Sequence, residues 1–397
     1  IIEKPKFTLL ILIILLLSFG YFTKNFQLDA SSDTLLLEND PDLKYLREVN
    51  SKYGSKDFLV LTYTPKGNLL DSDTIEDLTN LKNELKNLEW ASNVITILDV
   101  PLLIWGPRDG ISNPTDTYRS TDSQCGIFAA SKVLRRYGIK FTHIENCNVN
   151  DTIFKDGFTT FIETARIVSA FKRGRIAQIS VRPQQFLNLM VNEGELLEKF
   201  GIEVVPITGI ELIDTIKIIQ KKEAENIDTL LAEIEEKINL SQIPDKRAMA
   251  AIELGFMKVA KRYNCNAIAS DCWHTVRREF GFGPWFVFGD LYDKGLPCTN
   301  ECDIHGAITS LMALGALNNK SAAFLTDLTM RHPSNDNAEL LWHMGFAKQL
   351  KDPSVEGHVI KTGEGHYRLK TGDLTILRFD GDHGNYSCFV GKGESIH

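Results

Sequence analysis

The first hundred residues contain no cysteine, and the seven that follow share no repeated spacing: Cys125, Cys147, Cys265, Cys272, Cys298, Cys302 and Cys388. An odd, unpatterned set argues against a disulfide framework and reads as the reduced thiols of a cytosolic protein. Cys298 and Cys302 form a lone C-x3-C without a second pair, which is weak support for a zinc site. A basic stripe is also lacking, with 44 Lys and Arg against 52 Asp and Glu, so no nucleic-acid partner is expected. Gly-rich phosphate fingerprints of the Rossmann or P-loop type are missing, which excludes the common nucleotide sites. The chain opens on Ile1 rather than methionine and stops at His397 without an obvious closing element, which leads us to expect a fragment at both ends.

Hydrophobic residues make up 43% of the 397 and charged residues 24%, a globular composition with room for two or three domains. The one long apolar run, FTLLILIILLLSFGYF at residues 7–22, carries no charge and is flanked by Lys4, Lys6 and Lys24. It approaches the ~20 residues that span a bilayer, and lysine stems can reach the interface from either end. No small-residue cleavage site follows it, so a membrane helix is favoured over a signal peptide, with the amino-terminal end cytoplasmic. Residues 58–64 (FLVLTYT) and 94–98 read as strands around a helix at 71–88, on which Ile75, Leu78, Leu81, Leu85 and Leu88 share a face. The resulting β-α-β is a partial ferredoxin-like unit.

From residue 101 onward the texture changes to alternating strands and helices bounded by Gly turns. Strands are predicted at 176–181, 202–206, 267–270 and 322–325. Helices are predicted at 122–137, 158–171, 193–200, 211–220, 226–240, 245–263 and 302–317. This alternation predicts an α/β fold with a doubly wound, mainly parallel sheet. After Glu356 short strands with Gly turns predict a separate antiparallel β module.

The residues best placed for chemistry are Glu301, where a loop enters a helix, and Asp327, at the carboxyl end of the last predicted strand. Ligands of open α/β sheets bind at that end. Two carboxylates there suit a hard divalent ion and can shuttle a proton next to a carbonyl. The competing reading is that Glu301 and Asp303 only favour a helix N-terminus.

Two resemblances bear on these readings. The apolar helix, Asp29-x3-Asp33-Thr-Leu-Leu, Glu38-Asn-Asp-Pro41 and the β-α-β unit resemble the start of an RND-superfamily transporter of the MMPL-like branch. Trp105-Gly-Pro-Arg-Asp109, Asp122-Ser-Gln-Cys-Gly-Ile-Phe128, Arg175-Ile-Ala-Gln-Ile-Ser-Val-Arg-Pro183, Cys272-Trp273 and Glu301-Cys-Asp-Ile-His-Gly-Ala307 resemble the L-fucose/L-arabinose isomerase family. The second resemblance implies aldose–ketose isomerisation through a Mn²⁺-bound cis-enediol, with Mg²⁺ or another divalent ion as an alternative. It also implies Glu301 and Asp327 as metal ligands and acid/base pair, a sugar substrate and a homo-oligomer. Asp271, Trp273, His332 and His343 are weaker candidates to line the sugar. Asp271 stands where that family usually has Gln, and Asn300 where it often has Cys.

Together these resemblances imply a chimera. Residues 1–24 would be a transmembrane helix, 25–100 a partial porter segment, 101–317 the isomerase-like α/β domain and 318–397 part of that family's carboxy-terminal domain. The family's own amino-terminal domain and its third metal ligand, a histidine, are expected to be missing, and turnover to be weak. The alternatives are a membrane-transport fragment or an inactive membrane-anchored chimera. A cytoplasmic isomerase part and a membrane helix conflict over location.

Overall fold

A computed structural model describes residues 72–88, 101–110, 122–318 and 320–396. The membrane run at 7–22 and the strands read at 58–64 and 94–98 lie outside the described residues. Among those described, no helix is long and apolar enough to cross a membrane. The chain divides into two units, Ile1–Ile75 and Glu76–His397, and every described strand belongs to the second.

Helix α1 (Ser72–Lys86) matches the apolar periodicity read at 71–88. A parallel pair of short strands, β1 (Leu102–Ile104) and β2 (Phe141–His143), flanks α2 (Ser123–Arg136) and leads to α3 (Thr152–Lys172). Then come β3 (Arg175–Ile179), α4 (Glu193–Phe200), β4 (Glu203–Ile207), α5 (Gly209–Lys222), α6 (Ala224–Glu235) and the two-residue β5 (Ile238–Asn239). They are followed by α7 (Lys246–Arg262), β6 (Ala267–Ser270), α8 (Thr275–Phe280), α9 (Trp285–Asp293), β7 (Cys298–Thr299) and α10 (Ile304–Leu317). Strands β3, β4, β6 and β7 form one parallel sheet in the order β4-β3-β6-β7.

Successive strand residues point to opposite faces, and that alternation builds two cores. Ala177, Ile179 and Ile268 face a cluster with Leu212 and Ile216 of α5, Ile252 and Phe256 of α7 and Phe286 of α9. Ile176, Ala267 and Ala269 face another, with Leu196 of α4 and Ile304, Ile308 and Leu311 of α10. Helices on both faces make the sheet doubly wound, as the alternation predicts. β6 is buried along its whole length, so it reads as an apolar run closed by a small hydroxyl residue (Ala267-Ile-Ala-Ser270).

Three expectations need correction. Residues 322–325 form no strand. β7 is only two residues long and offers almost no edge for a further parallel partner. Asp327 therefore does not end a sheet strand: it begins β8 (Asp327–Arg331), which pairs antiparallel with β9 (Glu339–Trp342) in an exposed hairpin. The helix read through residue 240 stops at Glu235, because 238–239 are drawn into pairing with β10 (Gly357–Val359), itself antiparallel to β11 (Gly365–His366).

The last two strands, β12 (Gly372–Asp382) and β13 (Asn385–Ser395), form the expected antiparallel hairpin. The hairpin is pinned to α10. Arg378 Nη1 pairs with Asp303 Oδ2 at 2.5 Å, Asp380 Oδ1 with His305 Nδ1 at 2.8 Å, and the Phe379 amide donates to Thr309 Oγ1 at 2.9 Å. Phe379 adds its ring to the core under α10.

Candidate active site

The loops after β3, β6 and β7 meet at the carboxyl end of the parallel sheet. Their backbones interlock: Asp271 N–H donates to Ile179 O at 3.1 Å and Cys302 N–H to Ser270 O at 3.2 Å. Three non-glycine residues there, Ser180, Glu301 and Cys302, adopt left-handed backbone angles, with φ of 69°, 54° and 58°. Each costs about 1–2 kcal/mol relative to ordinary backbone, so the surrounding contacts must hold the turn. Cys302 does so from beneath, with its buried Sγ donating to Ile179 O at 3.4 Å. The turn carries Glu301 off the helix axis and into the open end of the sheet.

The motif Glu301-x-Asp303-x-x-Gly306 divides into two jobs. Asp303 is the N-cap of α10: its Oδ1 accepts from Gly306 N–H at 2.8 Å. A Cβ at Gly306 would stand 2.4 Å from Asp303 Oδ2, so only glycine allows the cap and the Arg378 ion pair together. The helix-terminus reading thus holds for Asp303 and not for Glu301.

Glu301 Oε1 accepts from Trp273 Nε1 at 3.2 Å and from Cys272 Sγ at 3.9 Å. Oε2 has no protein partner among the described residues. Burial pushes the Glu301 carboxyl up to about 7, the Trp273 bond opposes the rise, and the negative charge of Asp327 adds to it. Asp327 is exposed, yet near enough to act on both Glu301 and His343. His343 is buried with its Nδ1 3.3 Å from Asn300 Nδ2, and burial holds its imidazole below the usual range. Glu301 and His343 thus both feel the charge of Asp327, which acts on them from a hairpin.

The other candidates separate. Asp271 is buried. Burial raises its carboxyl, but bonds from the Thr275 hydroxyl and from the amides of Thr275, Trp273 and His274 outweigh this and lower it. Those four donors make Asp271 the clasp of the turn that aims Trp273 at Glu301. His332 is not brought to the site. Its Nδ1 accepts from the amides of Ser334 and Asn335, at 3.2 and 3.0 Å, inside the β8–β9 turn. Short polar residues after it supply amides within reach, and the exposed hairpin keeps the ring there.

Beside the clasp lies a cavity of about 410 Å³ bordered by Ser180, Arg182, Gln184, Asp271, His274 and Arg278. Arg182 stands in the stretch Arg175–Pro183 that carries the isomerase resemblance, though not as a site candidate, and Arg278 was not picked out from the sequence. Position gave a further signal for Arg182, just beyond β3 at the carboxyl end of the sheet, but not for Arg278, which lies on α8.

Hard oxygen donors suit Mn²⁺ or Mg²⁺. Among the described residues, however, no three His, Cys, Asp or Glu side chains are gathered to hold an ion. Glu301 and Asp327 carry donors of that kind, but no third ligand joins them among the described residues, and the residues present do not make up a metal shell.

Residues 84–172 match the family profile "Fucose/sulfoquinovose isomerase, N-terminal domain". That match corrects the expectation of a missing amino-terminal domain, and it begins ahead of the junction read at residue 101. The chain is also 24% identical over 341 residues to the sulfoquinovose isomerases of Priestia aryabhattai and Priestia megaterium, covering 83% of this chain and 73% of each relative. Both comparisons support the isomerase side of the resemblance drawn from the sequence, and neither supports its transporter side.

Proposed function

We propose that this chain is a metal-dependent aldose–ketose isomerase in which Glu301 moves the substrate proton. The observation that carries the proposal is the state of Glu301: half-buried, held by an indole N–H on one oxygen, with its carboxyl raised to about 7. A general base works best when its pKa lies close to the operating pH. Ionised Glu301 takes the proton from C2 of the aldose on Oε2 and returns it to C1, while the hydroxyl proton at C2 passes to O1. Trp273 fixes the other oxygen, so the carboxylate presents one defined lone pair. Asp271 acts through Trp273 by holding its turn.

A divalent cation, Mn²⁺ or Mg²⁺, is part of the proposal, with Glu301 and Asp327 as two of its ligands and at least one more required. When bound, such an ion stabilises negative charge on the two sugar oxygens. The relatives named for sulfoquinovose and the resemblance to L-fucose isomerases both support a sugar substrate. The test is isomerisation of 6-deoxy-6-sulfo-D-glucose, L-fucose and L-arabinose with Mn²⁺. Turnover abolished by Glu301→Gln supports the proposal, and turnover unaffected by it refutes it.

A further inference from the structure

The cavity next to the Trp273 turn has a chemistry that proton transfer does not use. Arg278, exposed on α8, has no carboxylate partner among the described residues, whereas its neighbour Arg277 lies over the Trp285 ring at 5.8 Å. Arg182 spends one guanidinium nitrogen, Nη1, on the carbonyls of Pro183 and Gln184, at 3.1 and 3.2 Å. Those bonds fix the fork on its own loop, and no acidic side chain pairs with it among the described residues. Asp271, the acidic side chain on this wall, already accepts from four donors. Ser180, Gln184 and His274 also line the recess, and Val181 and Pro183 give it an apolar wall.

Arg182 also borders a second hollow of about 180 Å³ that includes Cys302, the residue after Glu301. The cationic cavity and the carboxylate site are thus neighbours, joined through one arginine and through the 271–273 turn. Two guanidinium groups without carboxylate partners among the described residues line one recess beside Glu301's loop, and together they carry the charge and the N–H donors that a tetrahedral oxyanion takes.

We propose that this recess is the anion subsite of the sugar site, in which Arg182 and Arg278 hold a sulfonate or phosphate group at the far end of the sugar. The assignment rests on the isomerase reading for the placement of the reacting carbons. Arg182 and Arg278 are specificity-determining residues and take no part in proton transfer. Sulfonate and phosphate share the recognising chemistry, and the two are separated by the substrate used.

The test measures kcat and KM of the full chain with Mn²⁺ on 6-deoxy-6-sulfo-D-glucose, glucose 6-phosphate and uncharged 6-deoxy-D-glucose. The variants are Arg182→Gln, Arg278→Gln and, as a control, Arg277→Gln. Wild type prefers one of the anionic sugars. In Arg182→Gln and Arg278→Gln that preference falls by about 10- to 100-fold, mainly through KM, as loss of a hydrogen bond to a charged group requires. Arg277→Gln keeps the wild-type preference. Arg278 is exposed, so its variant remains informative should Arg182→Gln disturb its loop.

A wild type that does not discriminate, or pocket variants that keep its preference, overturns the subsite. Glu301-dependent turnover of the uncharged sugar in that case leaves the isomerase reading standing. The converse result, arginine-dependent binding of the anionic sugar with no turnover of any sugar, sustains the subsite while the isomerase reading falls.

Discussion

The indole N–H of Trp273 donates to Glu301 Oε1 at 3.2 Å, tying the loop after β6 to the loop after β7. A donor facing a carboxylate favours its ionised form. In Trp273→Phe that bond is gone, so the Glu301 carboxyl moves further up and the acid limb of the pH–rate profile shifts to higher pH. Comparing kcat/KM across pH for the two proteins checks this, and a shift to lower pH would contradict it.

The pH dependence of wild type follows from the same group. Glu301 must be ionised to accept a proton, so activity rises with pH as its carboxyl ionises. Stability runs the other way. The folded-state value of about 7 lies above the ordinary 4.5, so this group's contribution is fully present below pH 4.5 and is lost as pH rises through about 7. Denaturant midpoints measured against pH show that decline in wild type, and Glu301→Gln removes this component of it.

A second cluster governs stability rather than chemistry. Lys348 Nζ lies 2.6 Å from Asp290 Oδ1, with the lysine side chain 6% exposed and the aspartate fully buried. Glu253 is buried beside them, and burial together with Asp290 pushes its carboxyl up. Lys348→Met leaves Asp290 to the more distant Lys294, whose Nζ is 3.9 Å away, and costs about 3 kcal/mol of unfolding free energy. Urea denaturation monitored by circular dichroism measures the loss.

The terminal hairpin is held to α10 by Arg378 on Asp303 at 2.5 Å. Arg378→Met removes a charge-assisted bond worth about 1.5–3 kcal/mol. Amide exchange in β12 and β13 then accelerates while that of β6 is unchanged.

His332 serves as a contrast. Its bonds stay within its own turn, so His332→Ala leaves kcat/KM as in wild type and weakens only the β8–β9 hairpin. A loss of activity comparable to that of Glu301→Gln would restore it to the site.

Much of the sheet was legible in the sequence. Strand 267–270 is made of apolar residues up to its terminal serine because both of its faces are buried, and the helices around it carry clear 3.6-residue periodicity. Glu301 was legible through its motif, and Asp303 through the helix that follows it. The conformation after residue 320 was not. An apolar segment such as Ala322–Ala323–Phe324–Leu325 reads as a strand by composition, but a strand needs a partner edge, and the length of β7 is not written in residues 322–325. The recess between Arg182 and Arg278 was hidden for a related reason, since 96 positions separate residues 182 and 278 and only the sheet order brings their loops together.

The central claim, that Glu301 carries the substrate proton, is tested most directly by proton exchange at the sugar carbon. The full chain is incubated with Mn²⁺ and 6-deoxy-6-sulfo-D-glucose or L-fucose in D₂O, and deuterium entering at the carbon next to the carbonyl is followed by NMR. The account predicts exchange by wild type that falls by at least about 100-fold in Glu301→Gln, the usual scale for losing an acid/base group. Equal exchange by wild type and Glu301→Gln would contradict it.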